Sequence, residues 1–208
     1  MQKVGIIGTG TVGQKLSEGF LAEGYEVRIG TRDTSKVEAR ENLEGVSVAQ
    51  AAAFSDLVVL AVKGSVALDA IAGLDLAGKT VIDACNPIAD APPEKGVLKF
   101  FTEGGDDSLI GRLQEAHPEA RFVKAFSCVG AHLMYKPDFG AEKPTMFICG
   151  NSEAAKAEVK GVLDSFGWET ADMGGTEAGA TIENLCILWC IPGFAENKWN
   201  HAFKLLGM

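Results

Sequence analysis

The chain has 208 residues, 47% of them hydrophobic and 23% charged, with a formal net charge of -9. Length and composition suit one sizeable soluble α/β domain. The acidic balance excludes general nucleic-acid binding, which runs on basic patches, and requires that any polyanionic ligand find local basic residues.

The first element is a short apolar strand, Val4, Ile6 and Ile7, leading straight into Gly8-Thr9-Gly10-Thr11-Val12-Gly13. This is the spacing G-x-G-x-x-G. Alone it is weak evidence, because loops are rich in glycine. Here a helical pattern follows over about Val12 to Glu23, closed by Gly24, and a second strand arrives at Glu26 to Thr31. That strand-turn-helix-strand setting is what a dinucleotide fingerprint requires. Gly8 permits the tight turn, Gly10 lets the backbone approach a pyrophosphate, and Gly13 lets the helix pack close to the strand. The helix start offers free N–H groups and a positive dipole end to phosphates. The competing reading is a plain strand-to-helix turn.

An enzyme using NAD places an acid near the end of strand two, where it binds the ribose hydroxyls. This chain reads Ile29-Gly30-Thr31-Arg32 there, followed by Asp33-Thr34-Ser35-Lys36. Thr31, Arg32 and Lys36 make a pocket for a 2′-phosphate: Arg offers a planar fork and Lys a point charge. Asp33 complicates the site unless it caps the next helical turn.

A short strand at Val46 to Val48 and an Ala-rich helix come next. Asp56 to Val62 is almost continuously apolar and reads as a central parallel strand buried on both faces. Its end, Ala61-Val62-Lys63-Gly64, opens toward the glycine loop. The fifth strand, Thr80 to Ala84, ends in Cys85-Asn86-Pro87. Asn86 suits a nicotinamide-ribose contact, or is simply a turn-forming Asn before Pro. Asp90 to Asp107 is rich in Pro, Gly and acids and reads as an exposed loop with a short helix at Leu98 to Phe101. A helix over Ser108 to Ala116 leads to strand six, Arg121 to Ala125, and to the loop Ser127 to His132. Val129, Ala131, Ser127 and His132 there have the apolar and polar character that a planar acceptor needs. Thr145 to Cys149 is a further strand. A helix capped by Asn151 or Ser152 runs to Phe166, and Trp168 to Asp172 is the last strand.

Thr176 to Leu206 reads as mostly helical, with Ala178, Ile182, Leu185 and Trp189 as an apolar stripe and a break or kink at Pro192-Gly193. The whole chain, 1–208, is expected to be one domain with a C-terminal helical segment over about 176–206. That segment is also the candidate surface for a homodimer. The five cysteines include no CxxC and read as buried reduced thiols, and no metal site is expected. The immediate first strand leaves no room for a signal peptide, and no run of about eighteen apolar residues predicts a membrane span, so a cytoplasmic protein is expected.

Taken together, GTGTVG, IGTRDTSK, AVK, VIDACNP and KAFSCVGA resemble the short NADPH-dependent reductases typified by coenzyme F-420:NADP oxidoreductase, and the reductase domain of the six-transmembrane metalloreductases. The resemblance covers nearly the whole chain. It implies a Rossmann-type, doubly wound, mainly parallel sheet. It carries over Gly8, Thr9, Gly10, Thr11, Val12 and Gly13 as the pyrophosphate loop, and Thr31, Arg32 and Lys36 as the 2′-phosphate pocket. Ala61, Val62, Asn86 and Pro87 then lie near the nicotinamide half, and Ser127, Val129 and His132 border the second ring. The implied activity is hydride transfer between NADP(H) and F-420 or a flavin. Such transfer needs little acid-base help, since the cofactors carry the chemistry and the protein aligns and shields the rings. The loop Ser127-Cys128-Val129 and the segment CILWCIPGF depart from the family pattern. Two alternatives stay open. A reductase of a small carbonyl or imine would use a proton donor such as His132 or Tyr135. A non-catalytic NADP-binding module would keep Arg32 without an open second pocket.

Overall fold

Apolar β-branched runs separated by helical periods build a parallel sheet covered on both faces, and the computed structural model has that layout over the residues it describes, 1–207. The strands are β1 (Lys3–Ile7), β2 (Glu26–Gly30), β3 (Leu43–Val46), β4 (Leu57–Leu60), β5 (Thr80–Asp83) and β6 (Arg121–Lys124). All pair in parallel, in the order β3-β2-β1-β4-β5-β6. The chain leaves β1 toward β2 and β3, then returns to the other side of β1 for β4. Ligands in such sheets bind at that reversal, beyond the carboxyl ends of the strands. The expected Rossmann-type doubly wound fold is therefore present.

One face is covered by α1 (Thr11–Ala22) and α5 (Glu153–Ser165), where Leu16, Phe20, Val159 and Phe166 pack on Val4, Ile6, Val59 and Val123. The other is covered by α2 (Val48–Phe54), α3 (Ala67–Ile71) and α4 (Leu109–Ala116), with Ile71, Leu109 and Leu113 against Val58, Leu60 and Val81. Beyond β6 a second, two-stranded parallel sheet is formed by β7 (Thr145–Ile148) and β8 (Glu169–Asp172). It joins the first where Lys124 N–H donates to the Cys149 carbonyl at 2.9 Å. The last helix, α6 (Gly179–Glu196), packs on the 126–134 loop and α4.

Four expectations are corrected. The third strand ends at Val46, because Ser47 starts α2: its hydroxyl accepts the Gln50 N–H while the Gln50 side chain accepts the Ser47 N–H. That reciprocal cap takes residues 47 and 48 out of the strand. No helix forms at Leu98 to Phe101. The segment is instead a hairpin, with Glu94 and Val97 exchanging both backbone hydrogen bonds across Lys95 (φ 52°) and Gly96 (φ 79°) and Ile88 bridging Phe100. Two successive left-handed residues are what a two-residue hairpin turn demands.

Pro192 does not break the last helix. α6 continues to Glu196 and closes on Asn197, which is left-handed at φ 53°. The proline removes one N–H on a side of the helix where Leu188 and Ile191 are exposed, not on the side buried against the core. The helical segment consequently stops ten residues before the expected 206. The tail instead lies along β7, with Thr145 N–H donating to Phe203 O and Leu205 N–H to the Thr145 hydroxyl. Finally, Thr176–Glu196 is long and apolar enough to cross a membrane, with mean hydropathy 1.3. It is nonetheless tied to the sheet through buried Glu183, which forms an ion pair with Lys124.

Candidate cofactor site

The glycine loop sorts into three roles by what a side chain would meet. Gly8 adopts φ +125°, and a Cβ there would overlap the Ala61 carbonyl oxygen. A Cβ on Gly13 would overlap Gly8 O, so the α1–β1 contact itself requires that glycine. Gly10 has nothing within 4 Å of its Cβ position and caps α1 without a side-chain hydrogen bond. Its lack of a side chain is not demanded by the protein's own packing. A bare backbone facing open space at a helix N-terminus fits a ligand phosphate.

This loop forms one wall of a cleft of about 560 Å³ at the carboxyl ends of β1, β2 and β4. Gly8, Thr9 and Gly10 lie on one side, Thr31, Arg32 and Lys36 on the second, and Ala61 and Val62 on the third. Thr11, Val12 and Gly13 follow in the first turn of α1 and do not line the cleft. Val48, Val66 and Ala70 add apolar surface. Two larger concavities, about 760 and 810 Å³, lie elsewhere: one at the amino ends of β1 and β4, the other beside α4 and Asn151. Neither includes a glycine loop.

Asp33 also lines the cleft, beside Arg32 and Lys36. Its Oδ1 accepts the Ser35 hydroxyl at 2.6 Å and the Ser35 N–H at 3.2 Å, and these bonds hold its carboxyl below the ordinary value. Thr31 Oγ1 accepts the Asp33 N–H at 3.1 Å, fixing the turn. Among the described residues Arg32 makes no ion pair or hydrogen bond, and Lys36 comes only within 4.0 Å of Asp33. An exposed guanidinium left free at the end of β2 fits a 2′-phosphate. The residues present thus suit NADP on two independent observations, the open Gly10 cradle and the unpaired Arg32.

Asn86 and Pro87 follow β5 and do not line the cleft. Asn86 is half-buried, and its Nδ2 donates to Ser127 O at 2.8 Å while its Oδ1 is buried with no partner. A Cβ on Gly64 would overlap Asn86 O, so the loops after β4, β5 and β6 are in contact, as the sequence predicts. Within the last loop, Ser127 and Val129 are buried and His132 is exposed. Ser127 Oγ also lacks a partner. Trp189 of α6 covers Gly130, held by Nε1 donating to His201 O at 2.8 Å and by stacking on the His201 ring at 4.9 Å. Ser127, Val129 and His132 do not line the nucleotide cleft; Ser127 is tied to the loop after β5 by the bond from Asn86.

Residue reading missed three charges beneath these loops: Asp83, Lys124 and Glu183, all without solvent access. A signal was present, since VID and FVK each end an apolar strand on a charge. Two parallel strands in one register place such charges side by side, and Asp83 is paired with Lys124. The cysteines are free, and four of the five are buried. Burial pushes the Cys128 and Cys149 thiols up to about 12, which leaves them protonated and unreactive.

Residues 3–87 match the family described as NADP oxidoreductase, coenzyme F-420-dependent. A solved structure from Arthrobacter sp. FB24, provisionally named an F-420-dependent NADP reductase, is 30% identical, with each chain covering 100% of the other and a TM-score of 0.89. The metalloreductase STEAP3 of Rattus norvegicus is 24% identical over 197 residues, which is 91% of this chain and 38% of that protein. This chain thus spans well under half the length of that curated relative. An imine reductase of Streptomyces aurantiacus aligns over 90% of this chain and 60% of its own at a TM-score of 0.64, but at 20% identity the likeness is one of fold alone.

Proposed function

This chain belongs to the coenzyme F-420-dependent NADP oxidoreductase family, and from that membership we propose that it exchanges hydride between NADP(H) and a deazaflavin or flavin ring. The observation that carries the NADP reading is the free Arg32 beside the open Gly10 cradle. Gly8 to Gly13 holds the pyrophosphate on backbone N–H groups, and Thr31, Arg32 and Lys36 hold the 2′-phosphate. Ala61 and Val62 line the path from the glycine loop, and Asn86 and Pro87 meet the nicotinamide half. Bound NADPH supplies the hydride, and the chain's residues align the ring and keep water from it. Ser127, Val129 and His132 form the wall toward the second ring.

The apolar outer face of α6 supports a homodimer. Leu188, Ile191 and Phe194 are 53%, 37% and 43% exposed, and no charged residue occurs from Asn184 to Ala195. A neutral face on a chain of net charge -9 lets two copies meet without mutual repulsion.

The test of the acceptor is anaerobic mixing of protein and NADPH with F-420, FMN, FAD, and a simple imine and carbonyl, following nicotinamide absorbance. Turnover with F-420 or a flavin is expected. Turnover only with the imine or carbonyl replaces the acceptor, and binding without turnover makes the chain a nucleotide-binding module.

A further inference from the structure

Three ionised groups with no solvent access meet where β5, β6 and α6 converge. Lys124 Nζ lies 2.5 Å from Asp83 Oδ2 and 2.8 Å from Glu183 Oε1, and it donates to Cys85 O at 3.0 Å. Asp83 Oδ1 accepts the Cys85 N–H at 2.9 Å. Glu183 accepts the first N–H groups of α4, Leu109 on Oε2 at 3.0 Å and Ile110 on Oε1 at 3.1 Å. The hydrogen bonds made to the two carboxyl groups all come from backbone N–H donors. Burial alone would strip the lysine's proton, but its two carboxylate partners outweigh that and raise its pKa above the ordinary value.

The sum is one net negative charge sealed from water. The α4 N–H groups are dipoles, which ease the burial without changing that sum. The charge sits directly under Cys85-Asn86. In so enclosed a position it is screened far less than a surface carboxylate.

We propose that the Asp83–Lys124–Glu183 triad acts as a fixed negative charge that favours the oxidised, cationic nicotinamide over the reduced, neutral one. This rests on the reading above that Asn86 and Pro87 meet the nicotinamide. Hydride loss removes two electrons and one proton from the dihydronicotinamide ring and leaves it with one positive charge. The flavin-type acceptor takes up the hydride. A negative charge bonded to Cys85, next to Asn86, therefore binds NADP⁺ better relative to NADPH, and makes the bound NADPH a stronger hydride donor.

The experiment measures equilibrium binding of both forms to the full chain, without any acceptor. The readout is the ratio Kd(NADPH)/Kd(NADP⁺). Asp83→Asn and Glu183→Gln each bring the triad to zero charge from a different side, and each should lower that ratio by about three- to tenfold. Lys124→Met leaves two negative charges and should raise it. A merely structural triad predicts something else: weaker binding of both forms alike, with the ratio unmoved. Thermal melting without nucleotide identifies the variants that fold, and if Lys124→Met fails to fold, the two neutral variants decide. A ratio unchanged within about twofold in both, or shifted the same way by Lys124→Met, overturns the proposal. Wild-type chain that binds neither form would instead overturn the NADP reading itself.

Discussion

At the scale of single residues, the glycines of the loop separate packing from ligand binding. Gly13 is glycine because α1 meets the end of the loop after β1 there, and Gly10 is glycine although none of the described residues lies within 4 Å of where its Cβ would stand. Gly10→Ala should therefore weaken NADPH binding by at least about tenfold in titration calorimetry while leaving the melting temperature unchanged. Gly13→Ala should lower the melting temperature, since its methyl group overlaps a backbone carbonyl. Normal NADPH affinity in the Gly10 variant would mean that the loop holds no pyrophosphate. Arg32 carries the choice between NADPH and NADH. A charge-assisted contact is worth about 1.5 to 3 kcal/mol, so Arg32→Gln should cut the preference for NADPH by about tenfold or more. NADH affinity should barely move, and equal losses for both cofactors would place the arginine away from the 2′-phosphate.

At the scale of elements, caps and ion pairs decide boundaries that periodicity leaves vague. The Ser47–Gln50 cap ends β3 and begins α2. Asp107 ties the loop before α4 to the helix: Arg112 donates to both of its oxygens at 2.7 Å, and Glu103 N–H adds a third bond at 2.7 Å. These donors, Arg112 foremost, hold its carboxyl below the ordinary value for an aspartate. The folded value thus lies below the unfolded one. Asp107 therefore stabilises the fold at pH values above about 4, and that contribution fades as pH falls through the lower folded value. Asp107→Asn should melt earlier than the wild type at neutral pH, and the difference should shrink as pH falls below the ordinary carboxylate value. A difference that persists undiminished at low pH would assign the effect to lost packing instead. α6 shows the opposite case, a helix that runs through a proline because its exposed side can give up one hydrogen bond.

At the scale of the whole molecule, the outer face of α6 is the apolar surface left without a partner in one copy of the chain. If two copies pair there, Leu188→Glu with Ile191→Glu should convert a dimer into a monomer in sedimentation velocity, with NADPH binding retained. A wild-type monomer at all concentrations tested would remove the dimer. The glycine loop and the Arg32 turn were legible in the sequence, because each depends on residues close along the chain: strand, turn, helix, strand. The contact among the loops after β4, β5 and β6 was legible too, because parallel strands bring their carboxyl ends to one edge. The hairpin at Lys95-Gly96, the run of α6 through Pro192 and the tail along β7 were not. They depend on which surfaces were left to cover once the sheet had formed. The triad belongs to the same class. Asp83, Lys124 and Glu183 are 41 and 59 residues apart in turn, and each alone reads as an ordinary charge at the end or side of an element. Only the register of β5 with β6, and the docking of α6 across them, puts three charges in one dry place, where each is costly alone and they are stable together.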